Sequence, residues 1–111
     1  MMLFLDTADA GLIADRATGG LVDGVTTNPS LVAKAGGDFF DGLRSICEAV
    51  DGPVSAEVVA TDAATMIAEG KKLRALHDNI VVKLPLTVDG LKACRALTDD
   101  GPALAGAMQP L

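Results

Sequence analysis

Asn79-Ile80-Val81-Val82-Lys83-Leu84-Pro85 places a lysine inside a short β-branched run that reads as a buried strand. Such a run carries apolar residues by default, because an ammonium taken out of water costs several kcal/mol unless it is paired or loses its proton. Desolvation lowers a lysine's pKa, and a neutral amine can attack a carbonyl to form a Schiff base. Taken alone, Lys83 also admits a plainer reading, a strand-end lysine that reaches water along its own stem.

Three earlier runs hold polar residues in matching places. Met1-Met2-Leu3-Phe4-Leu5-Asp6 ends at Asp6, and Asp23-Gly24-Val25-Thr26-Thr27-Asn28 ends at Asn28 before Pro29. Pro53-Val54-Ser55-Ala56-Glu57-Val58-Val59 carries Glu57 inside it. The steps from Asp6 to Asn28 to Glu57 to Lys83 are 22, 29 and 26 residues, the length of a strand, a crossover helix and two loops. Each unit then sets one polar group near the carboxyl end of a parallel strand, where α/β folds build their sites.

The intervening segments predict helices. Asp9 to Gly20 carries Leu12, Ile13 and Ala17 and closes on Gly19-Gly20. Asn28-Pro29 opens a second helix, capped by Asn28, that breaks at Gly36-Gly37. A third runs from Asp38 through Phe40, Leu43, Ile46, Cys47 and Val50. Thr61-Asp62 opens a fourth, with Ala64, Ile67, Ala68, Leu73 and Leu76 on its apolar side, and the last spans Thr87 to Thr98 through Leu91, Cys94 and Leu97. Strand and helix alternate four times, which argues for an α/β fold with a parallel sheet.

Half of the 111 residues are apolar and the net charge is −6. That acidity argues against nucleic acid or an anionic membrane as partner. No run approaches the roughly 18 apolar residues of a membrane span, and the opening Met-Met-Leu-Phe-Leu meets Asp6 too early for a secretory signal. Cys47 and Cys94 have no metal or CxxC spacing and read as reduced thiols, so the chain reads as cytoplasmic. With one histidine, His77, at a helix end, no metal site is expected. Lys71, Lys72 and Arg74 read as a solvated helix face. The size allows one domain and about four βα units, short of the about 250 residues of a closed (β/α)8 barrel. Left open, such a sheet is expected to expose two edges and one apolar face.

The stretches Phe4-Leu5-Asp6-Thr7-Ala8, Gly24-Val25-Thr26-Thr27-Asn28-Pro29-Ser30-Leu31, Val54-Ser55-Ala56-Glu57-Val58 and Ile80-Val81-Val82-Lys83-Leu84-Pro85 resemble the first four strands of the transaldolase family. The likeness is greatest to its small bacterial branch, which includes the fructose-6-phosphate aldolases. It implies that residues 1–101 are the amino-terminal half of a class I aldolase-type TIM (β/α)8 barrel, truncated after about four units. It also implies transfer of a dihydroxyacetone unit between sugar phosphates, with no cofactor. On that resemblance Lys83 forms the Schiff base, Asp6 handles the proton of the substrate hydroxyl where the bond breaks, and Glu57 shuttles protons through a bound water. Asn28 contacts donor hydroxyls, and Thr26 and Thr27 give support or substrate contact. Glutamate at 57 matches the transaldolase type, where the aldolase branch has glutamine.

Each of these residues also has a duller reading. Asp6 could cap the next helix, with Asp9 as competitor, and Asn28 could be a cap alone. Lys83 and Glu57 could be a purely structural ion pair.

The resemblance fails at the carboxyl end. The family continues with a fifth strand bearing a threonine, whereas residues 102–111, Pro-Ala-Leu-Ala-Gly-Ala-Met-Gln-Pro-Leu, have two prolines and no β-branched residue. That tail is expected to be irregular or a short helix, and its mismatch points to a truncated or frameshifted product. The later loops that hold substrate phosphate in such barrels are missing from these 111 residues. Two readings from different classes therefore stand: a transaldolase-like enzyme (or its aldolase variant), and a non-catalytic half-barrel. Either is expected to self-associate to cover the open sheet, and the decameric assembly of the small branch is not carried over.

Overall fold

The β-branched run around Lys83 forms a six-residue strand whose burial alternates strictly with residue parity, the period of a sheet with two unlike faces. The computed structural model describes residues 2–100 and 107–109. Its elements are β1 (Phe4–Asp6), α1 (Ala10–Ala17), β2 (Gly24–Thr26), α2 (Pro29–Ala35), α3 (Phe39–Ala49), β3 (Val54–Glu57), α4 (Ala63–Leu76), β4 (Ile80–Pro85), α5 (Val88–Asp100) and β5 (Ala107–Gln109). Every pairing is parallel, and the sheet order is β1-β2-β3-β4-β5. Each strand thus lies beside its neighbour in sequence. A doubly wound sheet reverses direction at a switch point, whereas a barrel keeps stepping one way. The fold is α/β, consistent with half of a (β/α)8 barrel.

Capping side chains fix the helix starts. Asp9, Asn28, Asp38 and Asp62 accept hydrogen bonds from the backbone N–H groups of Leu12, Leu31, Asp41 and Thr65, satisfying donors the helices leave open. Asp9 rather than Asp6 is therefore the cap of α1. Pro29 occupies the first turn of α2, and Gly36 ends it at φ 79°, a backbone state that favours glycine.

One side of the sheet carries the apolar core. Val25, Val54, Ala56, Ile80, Val82 and Leu84 are buried from the strands, and Ile13, Leu43, Ile46, Met66, Leu73, Ala93 and Leu97 from the helices. Burying a side chain of this size is worth about 1.5–3 kcal/mol. Helices α4 and α5 meet at Gly70, where an added Cβ would come within 2.6 Å of a Leu97 methyl.

Two expectations are corrected. The apolar sides of α4 and α5 are only partly the predicted ones. Leu73 and Leu97 are buried, and Ile67, Leu76 and Cys94 pack against the core, as expected. Ala64 and Ala68 are exposed, however, Leu91 is 53% exposed, and Met66, Gly70 and Ala93 take buried places. Small residues satisfied the periodicity count without needing burial. The tail, expected to be irregular or a short helix, contributes β5. Its register is Lys83↔Ala107, Leu84↔Met108 and Pro85↔Gln109. The backbone edge of β4 supplies a pairing template that outweighs the weak strand preference of Ala-Met-Gln. Residues 101–106, 110 and 111, including both prolines of the tail, lie outside the described residues.

Candidate active site

Residues on the second face of the sheet alternate with those of the core. Register places Asp6, Thr26, Ser55 and Val81 in one row across β1 to β4, and Glu57 beside Lys83 two residues further along β3 and β4. Asp6, Thr26 and Glu57 are the last residues of their strands. Of the expected polar groups, Asp6, Glu57 and Lys83 therefore share one face, in two layers, and Asn28 lies just beyond β2 as the cap of α2.

Lys83 Nζ lies 4.0 Å from Glu57 Oε2, and the two side chains are 16% and 18% exposed. Strand pairing dictates this approach, since directly opposed residues on one face are neighbours. Lys83 Nζ also donates to the backbone carbonyl oxygen of Thr27 at 3.2 Å. Neighbours on two sides hold the amine: a carboxylate from β3 and a carbonyl from just beyond β2.

The other expected residues fall into a second group. Thr26 Oγ1 donates to Asp6 Oδ1 at 3.0 Å, which accounts for the Asp6 side chain without any capping role. Asn28 Oδ1 accepts from Leu31 N–H at 2.9 Å, so its amide oxygen is engaged in the helix cap and its Nδ2 carries the remaining donors. Thr27 is expected, with Thr26, to give support or substrate contact. It is 1% exposed, and its hydroxyl donates to the Ser55 carbonyl at 2.6 Å. The side chain is directed into the protein because it follows Thr26 by one residue, which turns it to the opposite face.

Ser55 was not singled out from sequence. Its Oγ accepts the Thr27 N–H at 3.2 Å, and it is 8% exposed. The signal was present in Val54-Ser55-Ala56-Glu57, where a serine two residues before Glu57 must share its face. His77 Nδ1 accepts from Asn79 N–H at 3.1 Å, and Arg74 pairs with Asp78 at 3.3 Å. Both contacts organise the turn into β4.

Two clefts adjoin Glu57. One, of about 290 Å³, is lined by Phe39, Phe40, Glu57, Val59 and Leu73 among others. The second, of about 400 Å³, reaches Pro85 and Thr87 past Glu57, Ala60 and Thr61. They share Pro29, Glu57 and Val59 and so lie at the carboxyl ends of the strands. Among the described residues, no group of three or more His, Cys, Asp or Glu side chains could hold a metal ion. No helix among them is long and apolar enough to cross a membrane.

A parallel sheet in barrel order, with a partly buried lysine–carboxylate pair at its strand ends, defines the class: a (β/α)-barrel protein of the kind that builds sites at one rim. The sequence model of the Transaldolase/Fructose-6-phosphate aldolase family matches residues 3–105, and the chain belongs to that family. It is 62% identical over 101 residues to a probable transaldolase of Ruegeria sp. (strain TM1040), covering 91% of this chain and 46% of that protein. A probable transaldolase of Dinoroseobacter shibae gives the same identity and coverage. One from Maricaulis maris is 63% identical over 98 residues, 88% of this chain and 45% of the relative. The chain thus spans somewhat less than half the length of these curated relatives.

Proposed function

We propose that this chain carries the Schiff-base half of a transaldolase-type site, which moves a dihydroxyacetone unit between sugar phosphates through Lys83. The observation that carries the proposal is the placement of Lys83 Nζ 4.0 Å from Glu57 Oε2 at neighbouring strand ends. That distance is an ion-pair contact loose enough to open slightly and admit the one water through which Glu57 would pass protons.

On this reading the neutral Lys83 amine attacks the ketone carbon, and a C–N bond forms as the C=O electrons move to oxygen. That oxygen is protonated and leaves as water, with Glu57 moving the protons, and a protonated iminium remains. Asp6 takes the proton of the substrate hydroxyl, and the adjacent C–C bond breaks with its electrons flowing into the iminium. Thr26 orients Asp6 through the 3.0 Å bond, and Asn28 Nδ2 donates to a donor hydroxyl. Glutamate at 57 supports transfer over the aldolase variant, since glutamine does not titrate. Cytoplasmic sugar-phosphate metabolism is the setting, and Cys47 and Cys94 are both free thiols.

A second reading, that these 111 residues are a half-barrel without turnover, is favoured by span. The match covers 46% of the relatives' length, and phosphate sites in such barrels are formed by loops after the last strands. In this reading the polar face is covered by a second copy of the chain. The test is transfer of an isotopically labelled three-carbon unit from fructose 6-phosphate to an aldose phosphate, followed by mass spectrometry. Transfer that Lys83→Ala abolishes is the expected result for the enzyme. A folded chain with no transfer but with a Lys83 adduct identifies the half-site, and one with neither contradicts the Schiff-base assignment.

A further inference from the structure

The Lys83 amine has a partner that the proposed chemistry does not explain, the Thr27 backbone carbonyl at 3.2 Å. A carbonyl oxygen accepts and never donates. A neutral amine has two N–H groups and one lone pair. Committing one N–H to a fixed acceptor restricts rotation about the terminal C–N bond and turns the lone pair away from that acceptor. The protonated iminium has a single N–H, which the same carbonyl can accept, now as a stronger charge-assisted bond.

The carbonyl is unusually well held for a position past the end of a strand. The Thr27 hydroxyl donates to the Ser55 carbonyl at 2.6 Å, and the Thr27 N–H reaches both Ser55 Oγ and Ser55 O at 3.2 Å. On its other side Asn28 is fixed as the cap of α2. Thr27 itself is 1% exposed, so water does not compete for its hydroxyl.

We infer that Thr27 is a positioning residue for Lys83: its hydroxyl, tied to β3 at Ser55, sets the backbone carbonyl that orients the amine and then holds the iminium N–H. The inference rests on the Schiff-base reading of Lys83. It gives the supporting role expected of Thr27 a definite form, acting through its main chain. A preorganised acceptor of this kind spares the flexible lysine side chain the ordering cost at the moment of attack.

The test compares Thr27→Val, which keeps the shape and loses the hydroxyl, with Thr27→Ser, which keeps the hydroxyl. The readout is the rate of cyanoborohydride trapping of dihydroxyacetone on the full chain as donor concentration is raised. Losing one such bond is expected to slow Thr27→Val trapping at saturating donor by about tenfold, with the half-saturating donor concentration unchanged. Thr27→Ser is expected to stay within about twofold of the parent. A merely structural role would cost Thr27→Ser as much, through its lost methyl group, so that pattern overturns the inference, as does parental trapping by Thr27→Val. If Thr27→Val does not fold, Thr27→Ala is compared with Thr27→Ser instead, the two differing only in the hydroxyl. About tenfold slower trapping in the alanine variant is expected, and equal rates contradict the inference. Failure of the parent chain to form any adduct while folded overturns the underlying reading itself, and this inference with it.

Discussion

At the scale of single residues, a lysine and a glutamate opposed on adjacent strands are either an ion pair or a proton relay. Their separation of 4.0 Å and the bond that the amine donates to the Thr27 carbonyl fit both, and the proposed relay is told from the pair by removing the carboxylate's ability to titrate. Glu57→Gln preserves shape and removes the titrating group. It is expected to slow iminium formation by about 100-fold while leaving the melting temperature within a few degrees. An unchanged trapping rate would remove Glu57 from the mechanism. Lys83 and Glu57 were legible in the sequence because a charge in a β-branched run breaks a pattern. The role of Thr27 was not, since the adjacent threonines 26 and 27 cannot be assigned to faces until the register is known. Cys47 is a different case: burial and the neighbouring Glu48 push its thiol up to about 11, which marks it as an inert core residue.

At the scale of elements, the helix starts were readable because capping chemistry is local. The competition between Asp6 and Asp9 was settled by the fold, which gives Asp6 to Thr26 and leaves Asp9 for the cap. The apolar side of α4 was only half legible. Its alanines fit the helical period, yet Gly70 faces Leu97 because α5 needs the close approach. The strand β5 was hidden for the same kind of reason, since its pairing depends on the neighbouring edge of β4 and not on its own composition. The cap of α4 carries a pH dependence. The Thr65 backbone N–H, followed by its hydroxyl, holds the Asp62 carboxyl below its ordinary value. A depressed carboxylate contributes stability that is present above the unfolded-state pKa and lost as pH falls through the folded one. Replacing Asp62 with asparagine, which still caps, is therefore expected to flatten the acid side of the stability curve. Denaturant melts between pH 2 and 7 check this, and an identical acid limb in the variant would contradict it.

At the scale of the whole molecule, the described structure divides into an apolar layer between sheet and helices and an open sheet face that is polar, not apolar as expected, because it bears Asp6, Glu57 and Lys83. Phe4 is 44% exposed, and Leu3 and Met2 are 48% and 64% exposed beside it at the β1 edge. The proposed association of two copies over this face predicts a dimer in sedimentation equilibrium that weakens when Phe4 is replaced by a charged residue. A monomer across the micromolar range would contradict it. The repeating βα pattern was legible from the spacing of four strand-end residues, since each unit repeats the same geometry, whereas the barrel and the family were legible only through the resemblance of the four motifs around them. The Lys83–Glu57 pair across neighbouring strands was readable too; what the sequence could not reveal was the pairing of Asp6 with Thr26. The central claim is that Lys83 is a nucleophile held ready by its neighbours, and borohydride trapping with dihydroxyacetone, read by peptide mapping, tests it most directly. The account predicts a reduced three-carbon adduct on Lys83 that disappears in Lys83→Ala. No adduct on a chain shown by circular dichroism to be folded, or an adduct spread over the surface lysines, would contradict it.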